Sequence, residues 1–137
     1  MPHFGSLSET ELSTVDPRLV AVCREAIKYY DFSVIEGHRN EKDQNRAYAA
    51  GYSKLKWPNG NHNSYPSRAV DLAPYPVDWR ESELPHVRFG ILAGVMKVCA
   101  DRLGIPIRWG ADWNRNWDPR DESFLDWGHF ELVEKEL

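Results

Sequence analysis

Arg68-Ala69-Val70-Asp71-Leu72-Ala73, followed by Pro74, decides how this chain folds. Side chains alternate across a strand, so Ala69, Asp71 and Ala73 share one face while Val70 and Leu72 share the other. Pro74 and Pro76 end the run. A second run, residues 128–133, is built the same way, with His129 and Glu131 on one face and Phe130 and Leu132 on the other. If the two strands pair with their apolar faces on the core, Asp71 and His129 project together from the opposite face. A carboxylate inside an apolar run is costly to bury unless a cation meets it. A salt bridge with Arg68 or Arg108 is the plain alternative.

Working outward, Ser8-Glu9-Thr10-Glu11 has the spacing of a capping box and predicts a short helical turn. Asp16-Pro17 reads as N-cap and first position of a longer helix, with Leu19, Cys23, Ala26, Ile27 and Tyr30 on its buried face. Residues 32–36 form a predicted strand closed by Gly37. Asn40 caps a predicted helix that runs to Ala50 and stops at Gly51. A loop rich in Asn, Ser, Gly and Pro covers 52–67 and carries Trp57 and His62. Pro85 opens the strongest predicted helix, 85–103, with Val87, Ile91, Leu92, Val95, Val98 and Cys99 as its apolar stripe and Gly104 as its stop. Residues 105–109 are another strand, and a Trp-rich loop spans 110–127. No internal repeat, linker or low-complexity tract interrupts the pattern. Helices set apart from a small, mostly antiparallel sheet make an α+β domain, and 1–137 reads as one domain.

A hydrophobic fraction of 42% with 28% charged residues is ordinary for a soluble globular chain. The net charge of −4 and the lack of a basic run argue against nucleic acid or an anionic surface as partner. No apolar stretch reaches the length of a bilayer span. The first residues, Met1-Pro2-His3-Phe4-Gly5-Ser6, lack the basic and apolar regions of a signal peptide, so synthesis in a cytoplasm without export is expected. A monomer is expected. Cys23 and Cys99 fall on apolar helix faces and read as buried free thiols.

Two imidazoles and one carboxylate, with a second carboxylate close by, are the parts of a catalytic zinc site. Three protein ligands leave one position for water, and the spare acid takes that water's proton. His62, arriving from the loop ahead of the first strand, Asp71 and His129 supply such a set, and Asp126 sits three residues before His129. A turn or cap residue is the plain alternative for Asp126. Glu131 is a candidate to orient the His129 imidazole, although an exposed strand Glu is the plainer reading. The loop tryptophans Trp57, Trp79, Trp113, Trp117 and Trp127 either line a groove or pack as satellites beneath the loops.

Four segments together resemble the zinc peptidases of the D-alanyl-D-alanine carboxypeptidase type. They are Glu36-Gly37-His38-Arg39 with Gln44, Ala69-Val70-Asp71-Leu72-Ala73-Pro74-Tyr75, Ile107-Arg108-Trp109-Gly110-Ala111-Asp112-Trp113, and Asp126-Trp127-Gly128-His129. That family includes dipeptidases and phage endolysins that cut between L-alanine and D-glutamate in peptidoglycan. The resemblance covers nearly the whole chain and implies the Hedgehog/D-Ala-D-Ala peptidase-like fold. It also implies Zn2+ held by His62, Asp71 and His129, Asp126 as general base, and Arg39 at the scissile carbonyl or oxyanion. Read without it, Arg39 is a surface residue pairing with Glu41 or Asp43.

An Asp rather than a Glu at position 126 is similar to the endolysin branch. That branch implies a peptidoglycan L-alanyl-D-glutamate endopeptidase, acting on the stem peptide of the bacterial wall once released from a phage-infected host. A D-alanyl-D-alanine carboxypeptidase and a non-catalytic metal-binding module of the same fold are the alternatives. The chain departs from the family pattern at one point. The first His ordinarily precedes the Asp by seven residues with a Gly between, where this chain has Ser64 and Ser67, and the nearest imidazole is His62. His38 and His86 compete with it.

Overall fold

The computed structural model describes residues 2–133. Its elements run α1 (Ser6–Leu12), α2 (Pro17–Ala26), β1 (Phe32–Glu36), α3 (Glu41–Ala49), β2 (Ala69–Pro74), α4 (Glu83–Leu103), β3 (Ile107–Trp109), a short 3-10 turn at Pro119–Asp121, and β4 (His129–Leu132). The strands form one antiparallel sheet in the order β1-β2-β4-β3, so the expected α+β architecture is the one observed.

The alternation of β2 and β4 places the sheet as expected. Val70, Leu72, Phe130 and Leu132 are buried in the apolar core with Phe32 and Val34 of β1 and Ile107 and Trp109 of β3. The ladder pairs Asp71 directly with His129, and on the other side of β2 it pairs Glu36 with Asp71. One row of the sheet therefore carries Glu36, Asp71 and His129 side by side.

The first helix is longer than a single turn and is capped by Gly5 rather than Ser8. Ser8 is instead buried, its hydroxyl accepting the Val34 N–H at 3.0 Å and tying α1 to β1. Asp16 caps α2 as expected, its carboxylate accepting from the Arg18 N–H. Leu19, Val22, Cys23 and Ala26 face inward from that helix.

The long helix α4 corrects part of the expected stripe: Leu92 and Cys99 are buried and Val95 packs against the core as expected, but the other three members face outward. Val87, Ile91 and Val98 are 50%, 48% and 56% exposed. The buried row is Phe89, Leu92, Ala93, Met96, Cys99 and Ala100. Both sets recur at three- and four-residue steps, so periodicity alone does not separate them. The row with the bulkier Phe and Met and with two alanines, which admit close backbone approach, is the one that fills the core. Gly104 ends the helix at φ 71°, a left-handed conformation that glycine adopts without strain.

Both cysteines are free and buried, and burial pushes the Cys23 thiol up to about 12. Among the described residues no helix is long and apolar enough to cross a membrane.

Candidate metal centre and active site

Three elements deliver His62, Asp71 and His129 to one point. Asp71 and His129 arrive on paired strands; His62 arrives from the loop before β2. His62 Nε2 lies 3.1 Å from Asp71 Oδ1 and 3.2 Å from His129 Nδ1, and His129 Nδ1 lies 3.3 Å from Asp71 Oδ1. The three donor atoms thus form a nearly equilateral triangle. A tetrahedral cation with bonds of about 2.0–2.1 Å keeps its donors about 3.3 Å apart, so the triangle matches one face of such a tetrahedron, and two imidazoles with one carboxylate suit zinc. The residues fit the group. His38 and His86 stand elsewhere: His38 Nδ1 donates to the Ser64 carbonyl at 3.0 Å, and His86 Nε2 meets Glu81 at 2.9 Å while its ring stacks on Trp127.

The outer nitrogen of each imidazole is engaged. His62 Nδ1 donates to the Gly37 carbonyl at 2.7 Å and His129 Nε2 to Glu131 Oε1 at 2.7 Å. Those partners fix the tautomer and leave His62 Nε2 and His129 Nδ1 facing Asp71. Glu131 is 6% exposed; the plainer reading of an exposed strand Glu is corrected, because its carboxylate spends its charge on His129 and, at 3.7 Å, on Arg108.

The electrostatics follow from these contacts. Burial works against the Asp71 carboxylate, but the charges and hydrogen bonds of His62 and His129 outweigh it and hold Asp71 well below the usual carboxylate range. Burial likewise opposes a charged His129, yet hydrogen bonds to Asp71 and Glu131 raise it to about 10. The atom that holds a proton against Asp71 is the atom that a cation would take. Asp126 behaves oppositely. Burial first, and then the negative charge of Asp71, raise it to about 6. Among the described residues no donor holds its side chain, and it lines the same cavity as His62 and His129, about 380 Å³ in volume.

Arg39 does not pair with Glu41 or Asp43. It lies at the cavity wall, its Nε donating to Glu36 at 2.6 Å, Nη1 to Gln44 at 3.0 Å and Nη2 to Asp71 Oδ2 at 3.3 Å. It is therefore Arg39, not Arg68 or Arg108, that meets Asp71.

The His62 loop is tied from beneath. Gln44, 1% exposed, accepts from Arg39 and from Asn63 Nδ2 through one oxygen and donates to Ser53 and the Leu55 carbonyl through its nitrogen. The Arg39 N–H donates to the His62 carbonyl at 2.7 Å. This network anchors the loop that carries His62, while Ser64 is exposed. The role of Asn63 was not legible in the sequence, since it sits in no amphipathic pattern; the only signal for Glu36 and Gln44 was their place in the resembling segment.

The tryptophans divide between the two expected uses. Trp113 packs tilted against His129 with ring centroids 5.6 Å apart and lines the cavity. Trp79 and Trp127 line an adjoining cavity of about 800 Å³. Trp117 stacks on Trp109 at the core's edge.

Comparison with known proteins gives the chain its family. The profile of the family described as "Phage L-alanyl-D-glutamate peptidase" matches residues 2–133. The chain is 36% identical over 138 residues to the L-alanyl-D-glutamate peptidase of Escherichia phage T5, covering 95% of this chain and 97% of that one. It is similar to the crystal structure of the Serratia marcescens L-Ala D-Glu endopeptidase ChiX, with a TM-score of 0.73 and 28% identity over 97% of this chain and 90% of that one. The chain belongs to the phage L-alanyl-D-glutamate peptidase family.

Proposed function

We propose that this protein hydrolyses the bond between L-alanine and D-glutamate in the stem peptide of bacterial peptidoglycan. In this reading zinc is held by His62, Asp71 and His129, and residues 1–137 work as one catalytic domain and as a monomer. The observation that carries it is the triangle of donor atoms, 3.1 to 3.3 Å on each side, opening into a cavity that Asp126 also lines. When bound, the metal supplies Lewis acidity, polarising a carbonyl and lowering the pKa of water towards neutrality.

The chain's own groups do the rest. Asp126, raised to about 6, is largely ionised at neutral pH and basic enough to take a proton from water on its carboxylate. It then returns that proton to the nitrogen of the departing D-glutamate. Arg39 orients Asp71 through Nη2 and sets positive charge where the carbonyl oxygen becomes anionic. Glu131 and the Gly37 carbonyl keep the two imidazoles turned the right way. The names borne by the relatives favour the L-alanyl-D-glutamate cut over D-alanyl-D-alanine. Acting on the wall, the protein serves the release of phage from its host.

Digestion of purified cell walls followed by mass spectrometry tests the bond. The expected products carry a new C-terminal L-alanine and a new N-terminal D-glutamate. Free D-alanine with every L-Ala-D-Glu bond intact overturns the assignment.

A further inference from the structure

A D-glutamyl residue carries two carboxyl groups, and the stem peptide continues through only one of them. The other is a free anion, or a primary amide in walls that amidate it. The catalytic cavity is a poor host for that anion as far as most of its walls go, because Asp126, Glu122 and Glu131 all line it. Two cations line it as well, Arg39 and Lys54. The charge of Arg39 is already shared between Glu36 and Asp71. Lys54 differs. Among the described residues no carboxylate lies within ion-pair distance of it, and its ammonium rests 5.0 Å from the centre of the Phe124 ring, which lines the same cavity.

The position of Lys54 is built rather than incidental. The residues on either side of it are held by the same buried Gln44 that receives Arg39: Gln44 Nε2 donates to the Ser53 hydroxyl at 3.0 Å and to the Leu55 carbonyl. Opposite, Phe124 stacks on Trp113, whose indole N–H donates to the Phe124 carbonyl at 2.8 Å, and Trp113 packs against His129. Both walls that present the ammonium are therefore tied to the groups around the donor triangle. An exposed lysine so placed gives up little to meet an anion, and the acids around the cavity make that pairing selective.

We propose that Lys54 is a specificity residue that pairs with the free carboxylate of the D-glutamyl residue on the leaving side of the scissile bond. This rests on the L-alanyl-D-glutamate reading above. Two otherwise identical stem peptides, one with that carboxylate free and one with it as a primary amide, test the pairing through steady-state kinetics. The natural chain is expected to favour the free acid by about tenfold in kcat/KM. Lys54→Gln is expected to bring the two substrates to parity by raising KM for the acid, with kcat within about twofold. Lys54→Arg is expected to keep the preference. Lys54 is exposed, so these variants retain the fold. A natural chain indifferent to the amide overturns the inference, as does a Lys54→Gln variant that keeps the natural ratio or loses both substrates equally. A natural chain that leaves the L-Ala-D-Glu bond intact in both peptides overturns the assigned bond itself, which separates the two failures.

Discussion

Glu131 and Asp126 are both acids beside the donor triangle, and their surroundings give them different work. Glu131 is bonded to His129 Nε2 and reaches Arg108, so it acts through the imidazole it orients. Asp126 has a raised pKa and faces the cavity, which suits it to the proton transfer proposed for it. Glu131→Gln is expected to weaken zinc binding about 10- to 100-fold, read by competition with a chelating dye. Asp126→Asn is expected to bind zinc as the natural chain does and to lose at least about 100-fold in kcat. A Glu131→Gln protein with natural zinc affinity, or an Asp126→Asn protein with natural turnover, removes the corresponding role. Strand alternation made Asp71 and His129 legible in the sequence, because each sits out of phase with an apolar face. His62 was legible only through resemblance, since a loop imidazole carries no periodic signal and its spacing to Asp71 departs from the usual one. Glu131 was half legible: its face was readable, but its burial depends on Arg108 of the neighbouring strand.

The identity of β2 and β4 and their pairing came from period-two patterns that admit one register, because a slip by one residue would turn Val70 and Leu72 out of the core; the places of β1 and β3 in the sheet carried no such signal. The long helix α4 had no such constraint. It is apolar on two sides, and the exposed β-branched Val87, Ile91 and Val98 were read into one stripe with the buried Leu92 and Cys99. Leu92→Ala is expected to destabilise the protein by about 2–5 kcal/mol, and Ile91→Ala by no more than about 0.5 kcal/mol, both read by urea unfolding. Equal losses at the two positions would contradict the observed phase of the helix. The junctions between elements matter for the site in a different way. A Cβ on Gly110 would meet the Asp126 carbonyl oxygen and lie 2.8 Å from the His129 Cβ. Neither neighbour is the free end of a side chain, so Gly110→Ala must displace the segment carrying Asp126 or the strand carrying His129. It is expected to lower activity at least about tenfold while leaving the protein folded, with a stability loss of about 1–3 kcal/mol. Wild-type kinetics from a folded Gly110→Ala protein would show that this spacing is not what positions Asp126.

At the scale of the whole molecule, the apolar core and the donor triangle lie on different parts of the sheet. Leu19, Val22, Phe32, Val70, Leu72, Leu92, Met96 and Phe130 pack together without help from the site, whereas His62, Asp71 and His129 gather around one another and around Arg39 and Glu131. A small domain whose only core is its metal unfolds when the metal is taken away. Here the core is independent, so stripping the metal with a chelator is expected to abolish peptidoglycan cleavage while leaving the far-ultraviolet circular dichroism unchanged at 25 °C. The lost ligation must still appear in stability, because an ion that binds only the folded chain stabilises it by about 4 kcal/mol at a thousandfold excess over its dissociation constant. For a chain of this size that corresponds to a Tm lower by about 14 °C. Returning zinc is expected to restore both Tm and activity in the natural chain, and neither in His62→Ala, because only the former has a complete triangle to close. A stripped protein that loses its circular dichroism would make the metal part of the folding core. One that keeps its Tm and its activity would end the case for a metal centre.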